Sequence, residues 1–157
     1  MLSVLRNLIS PPRPTGPAEE LRKFGPVHRP ITPATLEPAD HSWRFEPRES
    51  GPIRLFEADR LGVDACLLTY RAQLRTEGLG GKAYLQMWCV FDGLGEFFSK
   101  GLARKVSGTT GWATYETPFW LKRGQSPSKV KLEIQVDGAG GKIWVRGVTL
   151  LKTPIKR

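Results

Sequence analysis

From Trp43 onward the chain breaks into short stretches in which apolar and polar side chains alternate with a period of two, the spacing of strands buried on one face. In "LLTYRAQLR", Leu68, Tyr70, Ala72 and Leu74 share a face, and Thr69, Arg71, Gln73 and Arg75 take the other. In "AYLQMWCVF", Ala83, Leu85, Met87, Cys89 and Phe91 oppose Tyr84, Gln86, Trp88 and Val90. "KVKLEIQV" sets Val130, Leu132, Ile134 and Val136 against Lys129, Lys131, Glu133 and Gln135. "KIWVRGVTLL" is apolar in both phases, which predicts a strand covered on both sides or placed at a sheet corner. The glycine-bearing connections "TEGLGGKA", "FDGLGEF" and "VDGAGGKI" supply the positive φ angles of turns and bulges. In "SGTTGWATYETPFWL" the alternation sends Tyr115, Phe119 and Leu121 to the core, and Pro118 marks an edge or a bulge. "GEFFSKG" carries Phe97 and Phe98 in succession, so one faces in and one out. The pattern predicts an all-β, two-layer antiparallel β-sandwich with no helix after residue 24.

The first 38 residues read differently. Eight of the thirteen prolines lie there, and proline removes a backbone donor and fixes φ. Residues 1–38 are therefore expected as an extended arm, wrapped along the domain or flexible, with residues 39–157 as the sandwich. Within the arm only "AEELRKF" (18–24) has the composition for a helical turn or two. The opening "MLSVLRNLIS" is apolar but interrupted by Arg6 and followed at once by prolines, a poor secretory signal. Its expected role is a short amphipathic turn, with weak peripheral membrane contact through residues 1–10. No apolar run has the length of a transmembrane helix, and the cytoplasm is the expected compartment.

The excess of 24 Lys+Arg over 15 Asp+Glu, +9 in all, favours acidic partners. The basic residues come in scattered pairs without a recognition helix or an aromatic-basic motif, so nucleic acid is not the expected partner. Cys66 and Cys89 sit in the apolar phase and are expected as buried free thiols rather than a zinc or disulfide framework. "GLGGK" lacks the spacing and the following helix of a phosphate loop.

The succession from "LLTYRAQLRTEG" through "SGTTGWATYETPFWL" and "KVKLEIQV" to "GKIWVRGVTLL" resembles the jelly-roll carbohydrate-binding modules of the galactose-binding-domain-like group. The likeness covers roughly residues 43–152 and implies a jelly roll acting as a non-catalytic binding module. One departure concerns metal. Where members of that group show an acidic pair in the last strand, often holding a structural calcium, this chain has "WVRGVTL", with Arg146 and Gly147 in those places. A guanidinium repels a cation that needs carboxylate oxygens. Asp92, Glu96 and Asp137 are scattered acids in turns, so no metal or other cofactor is expected.

Sugar sites combine a rigid apolar plate with fixed hydrogen-bonding groups. The outward phases of three strands offer both. Tyr84 and Trp88 are the candidate plates, and Arg71, Gln73, Gln86 and Gln135 the candidate polar ligands. Covering of Tyr84 and Trp88 by the proline-rich arm or by a loop is the competing reading. An enzyme is not expected. His28 and His41 lie in or beside the arm, far in sequence from any nucleophile motif, and a paired-carboxylate hydrolase would need two acids across a cleft, for which Glu116 and Glu133 are the imaginable pair. The expected ligand is a carbohydrate. The alternative is a protein-interaction module using the arm and the basic surface to hold an acidic partner.

Overall fold

A computed structural model describes residues 12–156; the apolar stretch 1–10 and its expected membrane contact lie outside the described residues. Among the described residues ten strands make one curled antiparallel sheet. They are β1 (Arg13–Pro14), β2 (Glu19–Phe24), β3 (Thr35–Glu37), β4 (Ser42–Phe45), β5 (Gly51–Asp59), β6 (Cys66–Phe91), β7 (Gly95–Lys100), β8 (Val106–Trp120), β9 (Lys129–Asp137) and β10 (Lys142–Lys156). Among the described residues the one helical element is a 3-10 turn, Leu102–Arg104, and no helix is long and apolar enough to cross a membrane.

The curl originates in β6, which runs 26 residues without a break. Its first half pairs with β10 and β8, and its second half with β9 and β7. Between them lies "EGLGG", where the ladder to β8 slips its register from Leu74 to Lys82. Gly78 takes φ 56, and at Gly80 and Gly81 the strand runs so close to the turn after β9 that a Cβ would overlap the Ala139 and Asp137 carbonyls. Only glycine permits that approach. The two halves thus belong to two layers. The front layer is built on β5, β9 and the second half of β6 with β7; the back layer is built on β3, β4, β10, the first half of β6 and β8. This is a jelly-roll β-sandwich, as the alternation and the resemblance implied.

The alternation fixes what lies between the layers. Leu68, Tyr70, Ala72 and Leu74 from the back meet Leu85, Met87, Cys89, Leu132 and Ile134 from the front in one buried cluster. Each large aliphatic side chain there contributes roughly 1.5–3 kcal/mol through burial. Tyr115 and Leu121 are buried and Phe119 packs against the cluster. Cys66 and Cys89 are buried free thiols. β8 pairs with β6 alone among the described strands, so Pro118 stands on an edge, where its missing N–H costs no ladder bond. In β10, Ile143 and Val145 point inward, while Trp144 points out and is still buried. It lies 3.8 Å under the Arg75 guanidinium, which is why that strand reads as apolar in both phases.

The proline-rich segment is laid along the sandwich. The expected helical turn at 18–24 is instead strand β2, antiparallel to β10 from Val148 to Lys152. Tertiary contact overrides local propensity here: Phe24 stacks on Phe56 with centroids 4.3 Å apart, and Leu21 packs against the core. Farther on, the Ile31 and Thr32 amides donate to the Leu55 and Arg54 carbonyls at 2.9 and 2.8 Å. β1, β2 and β3 therefore all come from the stretch expected as an arm.

Candidate ligand groove

The outer face of the front layer carries a groove of about 560 Å³. Its floor follows from register. β6 and β9 run side by side with Tyr84 opposite Gln135, Gln86 opposite Glu133 and Trp88 opposite Lys131. All six point away from the core because their neighbours in sequence point into it. Pro52 and Arg54 of β5, with Ile31 beside them, form one wall, and Glu96 and Lys100 of β7 the other.

Glu133 is the hub of this floor. One carboxylate oxygen, Oε1, accepts from Gln86 Nε2 at 2.8 Å and from Trp88 Nε1 at 3.1 Å. Glu133 and Gln86 are both buried, so the network is anchored from beneath, and Tyr70 between the layers donates its hydroxyl to the Glu133 carbonyl at 3.1 Å. Such bonds fix the Trp88 ring in the groove. Trp88 is half-buried, with the Phe98 ring edge-on at 5.4 Å. Lys131 Nζ crosses to Glu96 at 2.6 Å. The hydrogen bond to Glu96, opposed by partial desolvation, holds the Lys131 ammonium above its ordinary pKa.

Of the six candidate residues, the structure brings Tyr84, Trp88, Gln86 and Gln135 together in this groove. Trp88 offers a partly open ring. Tyr84 does not: it is 6% exposed, the Lys105 ammonium lies 6.0 Å from its ring, and burial, then Asp137, pushes its hydroxyl pKa up. Among the described residues, the proline-rich segment reaches the groove at Ile31. Arg71 and Gln73 are not brought to the groove. They sit before the Gly78–Gly81 bend, on the outer face of the back layer. Arg71 is ion-paired with Glu116 at 2.6 Å, and Gln73 Oε1 accepts from Arg146 Nε at 2.9 Å. Sequence reasoning assigned Glu133 to the outward face but missed its place at the hub, and it missed Lys131 and Glu96. The signal for Glu133 was an acid inside a strand whose other outward positions are Lys and Gln.

Phe97 and Phe98 do point to opposite faces, since Phe97 meets Phe91 and Phe98 meets Trp88. Both remain half exposed on the edge strand. Among the described residues no three His, Cys, Asp or Glu side chains gather in a way that would hold a metal. In the last strand, Arg146 stacks 4.0 Å over Trp112 and Gly147 takes φ 63 at a bulge. Chemically, the groove combines one aromatic plate, two side-chain amides, a buried carboxylate and flanking ammonium and guanidinium groups. It suits reversible stacking and hydrogen bonding.

No family model matches the chain, and no curated protein matches it. Solved structures do. The chain is similar to the xylan-binding domain CBM22-1 of Paenibacillus barcinonensis Xyn10C, with a TM-score of 0.56 at 9% identity, covering 89% of this chain and 98% of that one. It is similar to the family 30 carbohydrate-binding module of a cellulosomal cellulase of Clostridium thermocellum, with a TM-score of 0.54 at 10% identity over 86% and 97% of the two chains. A Clostridium thermocellum xylanase fragment, CBM22-1 with its GH10 module, complexed with xylohexaose gives a TM-score of 0.58 at 10% identity, over 83% of this chain and 28% of that one. At such identities the likeness concerns the fold: the chain has the jelly-roll fold of carbohydrate-binding modules.

Proposed function

We propose that this chain is a non-catalytic binding module that holds a carbohydrate in the front-layer groove. The observation that carries the reading is the Trp88–Glu133–Gln86 network, which fixes an aromatic plate by a hydrogen bond on the groove floor. A pyranose stacks its C–H face on the Trp88 ring. Its hydroxyls bond to Gln135, to Lys100 and to the Glu133 oxygen not used by Trp88 and Gln86. Pre-positioned polar groups lose little freedom on binding. The shared fold supports the reading, since one solved structure of that fold is described as xylan-binding and another is complexed with xylohexaose. Tyr84 acts as a buried support for the floor rather than a second plate.

The test is affinity electrophoresis through gels containing soluble polysaccharides, with a glycan array to widen the choice. Retardation that disappears in Trp88→Ala, with a melting temperature close to that of the parent protein, is the expected result. Equal retardation of parent and variant, or no retention on any glycan, would count against the groove.

A further inference from the structure

The back layer has an outer face of different chemistry. Trp144, Arg75 and Trp112 lie across β10, β6 and β8, with the Arg75 guanidinium 3.8 Å from the Trp144 ring and 5.7 Å from Trp112. Arg146 caps Trp112 at 4.0 Å. Cation–π contact holds both guanidinium groups over the indole rings, and Gln73 fixes Arg146 through its Nε. Arg44 and Arg71 on the same face are ion-paired with Glu37 and Glu116, whereas among the described residues Arg75 and Arg146 have no carboxylate partner. Two rigid, planar cations with free N–H edges are matched to carboxylates.

Beside Arg146 lies a dip of about 370 Å³ with Phe24, Pro26 and Gly147 in its wall and Lys23 and Arg146 at its rim. The β10 bulge at Arg146–Thr149 and the left-handed Gly147 open it. Asp40 also borders the dip, with its Oδ1 accepting from Ser42 Oγ at 2.6 Å. An apolar hollow flanked by unpaired cations is complementary to an apolar side chain with acidic neighbours.

We infer that the outer face of the back layer docks an acidic polypeptide segment, seating one apolar side chain in the Phe24–Gly147 dip and its flanking carboxylates on Arg146, Arg75 and Lys23. The observations favour a polypeptide over a polyanion of another class. Trp144 is buried beneath the Arg75 guanidinium and the Arg146 guanidinium lies over Trp112, so cations compete with a base or a pyranose for these rings. The surface is separate from the groove and does not depend on the carbohydrate reading.

The experiment is fluorescence anisotropy of a labelled Glu-Glu-Leu-Glu-Glu peptide titrated with the full chain, repeated with Ser in place of Leu. Heparin and an oligothymidylate serve as competitors. Arg146→Gln is expected to weaken binding roughly tenfold, the size of one lost charge-assisted hydrogen-bonded contact, and the Ser peptide to bind more weakly than the Leu peptide. Trp88→Ala should leave the affinity unchanged. Should Arg146→Gln fail to fold, Lys23→Gln, at an exposed position, replaces it with the same expected direction. Parent-like binding by the folded variant would overturn the proposal. So would loss of binding in Trp88→Ala, equal binding of the two peptides, or tighter, arginine-dependent binding of heparin or the oligonucleotide.

Discussion

Trp88 and Glu133 stand on neighbouring strands in adjacent register rows and are joined by a 3.1 Å hydrogen bond from the indole N–H to the carboxylate. That bond sets the orientation of the only partly open aromatic ring on the groove floor, and Gln86 shares its acceptor. Replacing Glu133 by Ala removes the acceptor and strands the buried Gln86 amide. The expected cost is about 1–3 kcal/mol in chemical denaturation, together with weakened glycan retention. Glu133→Gln keeps an acceptor oxygen and should lose much less stability. Equal losses in the two variants would mean that the carboxylate does not organise the floor.

The groove was legible in the sequence only in part. Alternation placed Tyr84, Gln86, Trp88 and Gln135 on outward phases, and the structure shares that assignment, because side-chain period in a strand is a local property. Arg71 and Gln73 have the same phase but the opposite layer. Nothing in "LLTYRAQLR" reveals that the strand continues through "TEGLGG" and bends there, since layer membership depends on a close approach between Gly81 and the Asp137 carbonyl far along the chain. The misreading of residues 18–24 has the same origin: Phe24 is held by Phe56, a partner that helix propensity does not see.

That bend makes a pair of contrasting substitutions informative. Gly81→Ala drives a methyl group into backbone and should destabilise the fold by roughly 3 kcal/mol or more, in line with overpacking where the backbone cannot yield. Gly111→Ala, in β8 with open space around its Cβ position, should be neutral or gain up to about 1 kcal/mol by restricting the unfolded chain. Urea midpoints of the two variants check this directly.

Because β2 covers the edge of β10, residues 19–24 are part of the sandwich. Phe24→Ala loses the stack on Phe56 and should cost about 2 kcal/mol, at the low end for a partly buried aromatic. Deleting residues 12–24 should lower the melting temperature further and raise aggregation, as an uncovered sheet edge invites pairing with another chain. A truncated chain melting like the full one would show that β2 packs without consequence.

Alkaline pH should unfold the protein. Burial pushes Cys89 up from 9.0 to about 12, and burial raises Cys66 and Tyr70 as well. In this range the unfolded chain gives up protons that the folded chain keeps, so stability is complete below about pH 9 and falls as pH rises. Each group contributes a slope of up to about 1.4 kcal/mol per pH unit between its unfolded and folded pKa values. Thermal melts from pH 8 to 11 should show a steady decline, and Cys89→Ala, once corrected for its cavity, a shallower one. A flat profile would contradict the burial of these groups.

The central claim is that a carbohydrate lies on Trp88 in the front groove. The most direct measurement is a titration of the 15N-labelled protein with soluble oligosaccharides, following the five indole N–H signals assigned by single substitutions. The account predicts that the Trp88 signal shifts in a saturable way, with the Gln86 and Gln135 side-chain amides, while those of Trp112 and Trp144 stay in place. Saturable shifts centred on Trp112 and Trp144, with Trp88 unmoved, would contradict it.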